Sequence, residues 1–236
     1  MLVNCKVSKI ESVNKNIYKV KVTPDHPIVF KAGQYIFIKI EDNKKQPFSI
    51  ANCPTDIGSI ELHIGSSDES SAFNIIEFFL NVFEKKINFE IDAPHGDAWL
   101  REDSSNPLLL IAGGTGLSYI NSILKNCLNR KLMQPIYLYW GVKNRDYLYA
   151  DEELKALSQK YNNLHYVPVV LEDCENMWLG KRGTVLNAVM EDFTDLTLFD
   201  IYVCGPFMMA KAAKEQLISE KKARSEQMFA DAFAYL

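Results

Sequence analysis

The stretch that most limits how this chain can fold is Leu108-Leu-Leu-Ile-Ala112, an unbroken apolar run that ends directly in Gly113-Gly-Thr-Gly116. A run this short and this apolar fits a strand covered on both faces, as in a parallel sheet. Apolar residues then recur at helical spacing: Ile120, Ile123, Leu124, Cys127 and Leu128. Strand, glycine turn and helix together open a βαβ unit. The alternation continues, predicting strands over 136–140, 164–170 and 200–204 and helices over 151–160, 185–191 and 207–220. Gly113, Gly114, Gly116, Gly141 and Gly205 fall where these strands end. Open α/β sheets bind their ligands beyond those ends.

The first hundred residues read differently. Val3, Cys5 and Val7, then Ile17, Val20 and Val22, then 35–40, 47–51, 59–64 and 87–91 form short runs that alternate or are strongly apolar. Turn residues separate them at Pro24-Asp25, Asp42-Asn43 and Asp56-Ile57-Gly58. This pattern predicts an antiparallel barrel or sandwich. One interruption, Phe73, Ile76, Phe79, Leu80 and Phe83, has helical spacing and predicts a helix over 70–84, with Ser67 or Asp68 as its cap. The polar segment Arg101-Glu-Asp-Ser-Ser-Asn-Pro107 marks the boundary. The expected architecture is a β-barrel domain over 1–101 followed by a nucleotide-binding α/β domain over 106–236.

Composition narrows the function. Of 236 residues, 47% are hydrophobic and 24% charged, which fits a folded globular chain. The net charge of −4 is evenly spread and argues against a nucleic-acid binder. The five cysteines form no C-x-x-C pair, and the four histidines sit in no ligand cluster, so no metal site is expected. The N-terminal residues lack the apolar core of a signal peptide, and no run approaches the roughly 20 residues that span a bilayer. These features point to a cytoplasmic protein with reduced thiols and no membrane partner. No G-x-S-x-G elbow supports a hydrolase.

Three short motifs carry possible chemistry, and each has a plainer reading. Gly113-Gly-Thr-Gly116 opens a helix, so its backbone suits a pyrophosphate; it also suits a turn needed only for packing. It is not the full G-x-G-x-x-G pattern. The second strand ends in Trp140-Gly-Val-Lys-Asn-Arg145 without the usual acidic ribose partner. A methyltransferase-like or flavodoxin-like fold uses the same element. Cys204-Gly205-Pro206 places a small polarizable side chain at a strand end, against a flat ring or simply in the core. Pro47-Phe48-Ser49-Ile50 puts a proline on an edge strand and offers the Ser49 hydroxyl to a ring nitrogen or to solvent. His63 alternates with Leu62 and is expected to face solvent, and His95-Gly96 reads as a turn.

In this order the motifs resemble the ferredoxin–NADP⁺ reductase superfamily. Within it the chain is similar to the small NAD(P)H:flavin oxidoreductases, in particular the LuxG-type flavin reductases of bacterial luminescence operons. The resemblance runs over nearly the whole chain. It rests also on Glu61-Leu-His-Ile-Gly65, Asp92-Ala-Pro-His-Gly-Asp-Ala-Trp-Leu100, Leu110-Ile-Ala-Gly-Gly-Thr-Gly116, Tyr139-Trp-Gly141, Asp200-Ile-Tyr-Val-Cys-Gly-Pro206 and Asp231-Ala-Phe-Ala-Tyr-Leu236. It implies a barrel that holds the flavin ring and an α/β domain that holds the nicotinamide nucleotide. It assigns Gln46, Pro47, Phe48, Ser49, His63, Ile64 and Gly65 to the flavin, with Ser49 near N5 as the catalytic side chain. It assigns Ile111, Ala112, Gly113, Gly114, Thr115, Gly116, Cys204, Gly205 and Pro206 to the nicotinamide nucleotide. Relatives cover the flavin with a C-terminal aromatic; here Phe233 and Tyr235 come close to the end without being terminal.

One departure matters. Relatives that keep their flavin carry an arginine for its phosphate where this chain has Gln46, and glutamine makes no charged bidentate contact. In Gly65-Ser-Ser-Asp-Glu69, Asp68 and Glu69 would repel a phosphate. The resemblance therefore implies FMN (or riboflavin or FAD) bound as a dissociable substrate. The resemblance favours NADH as the hydride source, with some tolerance for NADPH; Lys143 and Arg145 either meet a 2′-phosphate or are plain surface charges. Reduced FMN would pass by diffusion to a monooxygenase such as a luciferase. Two alternatives stay open: a reductase that retains FAD or FMN for a protein partner, and a non-catalytic nucleotide-binding redox sensor.

Overall fold

The computed structural model describes residues 1–14, 16–41, 44–65, 69–173 and 177–236. Its residues group into two units: Met1–Leu100 with Asn121–Arg130, and Arg101–Ile120 with Lys131–Leu236.

The first unit follows from alternation. β1 (Leu2–Asn14), β2 (Ile17–Pro24), β3 (Tyr35–Glu41), β4 (Lys44–Ser49), β5 (Ile60–Gly65) and β6 (Phe89–His95) form one sheet in the order β4-β3-β6-β1-β2-β5. Every pairing in it is antiparallel. The sheet curls as the barrel expectation requires. Just past β4, the Ala51 N–H donates to the Glu61 carbonyl of β5, the opposite edge strand, at 2.8 Å. The inward residues Val3, Cys5, Val20, Val22, Ile36, Ile38, Leu62 and Ile91 share one core.

That core is closed by α1 (Glu69–Glu84), the predicted helix. Its buried residues are Ile75, Ile76, Phe79 and Val82, whereas Leu80 and Phe83 are exposed. The apolar arc is broad, and the packed side is rotated so that these two predicted members flank it. The side chain of Phe73, the proposed caps Ser67 and Asp68, and the turn Asp42-Asn43 lie outside what the structure describes. A Phe79→Ala change would cost about 3–5 kcal/mol, the usual range for a fully buried phenylalanine.

The second unit is built around the apolar run. β7 (Leu108–Gly113) is buried throughout and pairs in parallel with β8 (Ile136–Val142) and β11 (Asp200–Cys204). With β9 (Leu164–Val170), β10 (Lys181–Arg182) and β12 (Met228–Phe229) the order is β10-β9-β8-β7-β11-β12. The helices are α2 (Leu117–Asn129), α3 (Asp151–Lys160), α4 (Val185–Asp192) and α5 (Phe207–Lys221). The chain proceeds outward from β7 to β10, then returns to β11 on the other side of β7. The order therefore reverses between β7 and β11, and such a switch point opens a crevice at the strand carboxyl ends.

The boundary segment is tied to the second unit. The Arg101 N–H donates to Tyr202 Oη at 2.9 Å, its guanidinium lies 4.5 Å over the Phe229 ring, and Asn106 Nδ2 donates to Asp200 Oδ1 at 3.0 Å. The carboxyl-terminal part of α2 groups with the first unit, which a contiguous division at 101–106 does not anticipate. There Asn121 Nδ2 donates to Ala51 O at 3.1 Å and Ser122 Oγ to Asn52 O at 2.8 Å. These polar residues, interleaved with the apolar stripe, satisfy carbonyls that burial would otherwise strand.

Candidate active site

At the switch point the backbone ends of β7 and β11 meet because glycines let them. A methyl group on Gly205 would lie 3.0 Å from Gly113 Cα, and one on Gly116 would lie 2.3 Å from the Cys204 carbonyl oxygen. One on Gly113 would lie 2.7 Å from Met209 Sδ, and one on Gly141 would lie 2.7 Å from Val185 Cβ. The chain's own packing therefore requires Gly116, Gly141 and Gly205, whereas at Gly113 the flexible end of Met209 could give way.

Gly114 is different. Its φ is +55°, and nothing lies within 4 Å of where its side chain would begin. The carbonyl of this turn is held by the indole of the fully buried Trp140, whose Nε1 donates to Gly114 O at 2.9 Å. Ser118 Oγ donates to Thr115 O at 2.9 Å, fixing the start of α2. An open backbone face at a switch point, ahead of a 13-residue helix, fits a nicotinamide nucleotide. Ile111 and Ala112 are fully buried and present no surface to a ligand. Thr115, Gly116, Gly205 and Cys204 are half-buried; Pro206 is exposed and caps α5 from the position before its first residue.

In the first unit, Gln46, Pro47, Phe48 and Ser49 lie along β4, which among the described residues pairs only with β3 and is an edge strand, as the proline predicted. Pro47 is exposed, and Gln46, Phe48 and Ser49 are half-buried. Among the described residues the Ser49 hydroxyl makes no hydrogen bond, so it is available to a ligand. Ser49 pairs with Tyr35 of β3. Tyr35 stacks on His95 at 5.9 Å, and Phe37 meets the same imidazole edge-on at 5.0 Å. An unpartnered hydroxyl beside an aromatic cluster fits a flat heteroaromatic ring.

The histidines sit otherwise than the sequence suggests. His63 is buried rather than solvent-facing; its Nε2 lies 3.0 Å from Glu61 Oε1, and Lys19 and Lys125 are near. Burial pulls the imidazole pKa below its ordinary value despite the carboxylate. The bond from His63 holds the Glu61 carboxyl down at about 2. Ile64 is buried and Gly65 half-buried. His95 ends β6 rather than forming a turn, with Nε2 3.2 Å from Asp92 Oδ1. Asp92 also binds the terminal ammonium at 2.9 Å and Lys45 Nζ at 3.1 Å, and its carboxyl is held far below the ordinary range, chiefly by the ammonium. The proposed phosphate-repelling residue Asp68 lies outside the described residues.

Sequence reasoning missed Trp140, Met209 and the Tyr35–Phe37–His95 cluster as parts of these sites. Tyr139-Trp-Gly141 carried the first as a motif without a role. The others arise from strand pairing and helix packing that local spacing does not show. Among the described residues no group of His, Cys, Asp and Glu could hold a metal ion, and no helix is long and apolar enough to cross a membrane.

Comparison with known proteins agrees with this geometry. A family model described as an FAD-binding domain matches residues 2–97, and one described as an oxidoreductase NAD-binding domain matches residues 110–215. A solved structure, the ferredoxin reductase in carbazole 1,9a-dioxygenase, superposes with a TM-score of 0.83 at 24% identity, covering 99% of this chain and 69% of that one. Fold and domain content thus define a ferredoxin reductase-like protein with a flavin-binding and a nicotinamide-nucleotide-binding domain. A probable flavin reductase of Aliivibrio fischeri is 64% identical over the full length of both chains. The NAD(P)H-flavin reductase of Vibrio harveyi is 48% identical, again over both full lengths. The chain belongs to this family of flavin reductases.

Proposed function

We propose that this protein reduces FMN with electrons from NAD(P)H and that the flavin is a substrate that leaves after reduction. The observation that carries the reading is the 64% identity to a probable flavin reductase across the whole of both chains. When both molecules are bound, the nicotinamide supplies a hydride from C4 and the flavin accepts it at N5.

The protein needs no strong acid or base for this. Ser49 offers a half-buried, unpartnered hydroxyl that donates to the flavin nitrogen receiving the hydride, and is the catalytic side chain. Phe48 and Pro47 line the ring, and the main chain of His63, Ile64 and Gly65 borders it. The open turn at Gly114, with Thr115 and Gly116, receives the nucleotide backbone, while Cys204, Gly205 and Pro206 border the nicotinamide. Dissociable binding follows from the phosphate end: Gln46 carries no charge, and the neighbouring cation Lys45 is already engaged by Asp92. Reduced FMN then reaches a flavin-dependent monooxygenase, such as a bacterial luciferase, by diffusion. Cys5, Cys53, Cys127 and Cys204 are in no disulfide among the described residues, which supports a cytoplasmic setting.

The test is NADH oxidation by dialysed protein with and without added FMN. Turnover only with added FMN is expected. Turnover toward an artificial acceptor without added flavin would mean a retained prosthetic group and overturn the reading of Gln46. Absence of oxidation in both would leave a nucleotide-binding protein without catalysis.

A further inference from the structure

The first turn of α5 brings a thioether to the ends of two strands. Met209 is the third residue of that helix, and its N–H donates to the Pro206 carbonyl at 2.9 Å, which fixes the turn. Its half-buried side chain packs against the core of the second unit. A methyl group on Gly113 would lie 2.7 Å from the Met209 sulfur, and one on Gly205 would lie 2.7 Å from the Met209 terminal methyl. Met209 therefore fills the space that both glycines leave, one at the end of β7 and one just past β11. The Pro206 ring closes the same slot, with its Cδ 3.1 Å from the position of a Gly113 methyl.

Such a slot suits a slim, apolar and flexible end, which the unmodified thioether provides. A sulfoxide is a different group. Its sulfur is pyramidal, and its oxygen is a strong acceptor that apolar packing leaves unsatisfied. Added bulk on the sulfur also meets Gly113, the residue the sulfur already faces. The oxidised side chain must leave the slot, and the packing between the ends of β7 and β11 goes with it. Met208 supplies the contrast within the same turn: it is 69% exposed and fills neither glycine position.

We propose that Met209 is a site of oxidation by peroxide, and that its sulfoxide weakens binding of the nicotinamide nucleotide while sparing the flavin. The proposal rests on the reductase reading, which puts Cys204, Gly205 and Pro206 beside the nicotinamide. That reading also supplies the oxidant. Reduced flavin released in air passes two electrons and two protons to O2, giving oxidised flavin and hydrogen peroxide. A lone pair of the Met209 sulfur attacks one peroxide oxygen. The S–O bond forms as the O–O bond breaks, the departing hydroxide takes the proton of the transferred hydroxyl, and water leaves. Sulfur loses two electrons and the peroxide gains them. Peroxide made from the product flavin thus restrains the enzyme that reduces the flavin.

The test treats the protein with hydrogen peroxide, removes the excess with catalase and locates the added oxygen by peptide mass spectrometry. Oxygen is expected at Met209 as well as at the more exposed Met208. With FMN added, the KM for NADH should rise about fivefold or more and the KM for FMN change by less than about twofold. Methionine sulfoxide reductases with dithiothreitol should reverse the rise, and dithiothreitol alone should not. In Met209→Leu the treatment should leave that variant's own KM for NADH where it was, whereas Met208→Leu should respond like the native protein. Four results would each overturn the proposal: Met209 unmodified where Met208 is fully oxidised, an unchanged KM for NADH after its oxidation, recovery with dithiothreitol alone, which would point to Cys204, or a full peroxide response in Met209→Leu. In those cases FMN-dependent NADH oxidation by untreated protein would still uphold the reductase reading, and its absence would remove both that reading and the source of peroxide.

Discussion

The indole Nε1 of Trp140 donates to the carbonyl of Gly114 at 2.9 Å, so a side chain of β8 sets the conformation of the turn that follows β7. The indole is fully buried, and its only N–H is used on this one acceptor. Trp140→Phe keeps most of the apolar volume and removes the donor. A stability loss of about 1–3 kcal/mol is expected from the deprived carbonyl and the smaller ring. In kinetics the KM for NADH should rise several-fold with the KM for FMN nearly unchanged. Equal effects on both would detach the turn from nucleotide binding.

Ser49→Ala tests the hydroxyl on β4. The side chain makes no hydrogen bond among the described residues, so its loss should cost little stability. Single-turnover hydride transfer to FMN is expected to slow about tenfold or more, the equivalent of at least 1.4 kcal/mol of transition-state stabilisation. NADH binding should be retained. An unchanged rate removes Ser49 from the chemistry.

Two glycines of one turn should behave oppositely. In Gly116→Ala the new methyl meets backbone at 2.3 Å, which cannot move without separating β7 from β11. Loss of soluble protein, or a thermal midpoint many degrees lower, is expected. In Gly114→Ala the methyl meets open space, and only the positive φ is strained, costing about 1–2 kcal/mol. That variant should fold, and its defect should appear as weaker nucleotide binding. Thermal unfolding of both, with NADH titration of the second, checks the contrast.

The Glu61–His63 pair predicts acid sensitivity. Burial lowers the folded pKa of His63 below its unfolded value, so the unfolded chain gains this proton first. Stability is therefore lost as pH falls below the ordinary histidine value of about 6.5. Glu61, held at about 2 from an ordinary 4.5, adds a second loss as pH falls from 4.5 toward 2. Urea midpoints measured between pH 7.5 and pH 5 should decline in the native protein and flatten in His63→Gln, whose amide retains a donor for Glu61. Parallel pH curves for the two proteins would show that His63 does not titrate on unfolding.

Much of this protein was legible in its sequence because the signals are local and backbone-driven. The unbroken run 108–112 required a strand buried on both faces, and β7 is buried throughout. The helix stripe from Ile120 to Leu128 is buried as read, and α3 and β9 occupy the predicted residues. Alternation over 3–7 and 17–22 sent the correct residues inward. The candidate site was legible as motifs, since strand-end glycines and an edge proline declare themselves by backbone constraint.

What only the tertiary structure decided depends on neighbours distant in sequence. Leu80 and Phe83 have helical apolar spacing but lie outside, because the sheet selects which side of a broad arc it covers. His63 alternates like a surface residue but is buried beside Glu61, so the outer face of an antiparallel strand cannot be assumed wet. The glycines at the end of β7 and just after it looked alike in sequence. Packing against the Cys204 main chain showed that Gly116 serves the fold and left Gly114 open to a ligand. Sequence determined which elements form, because periodicity and turn chemistry act over a few residues. Tertiary structure decided which faces are dry, which glycines are free and where charge accumulates, because burial and electrostatics act across space.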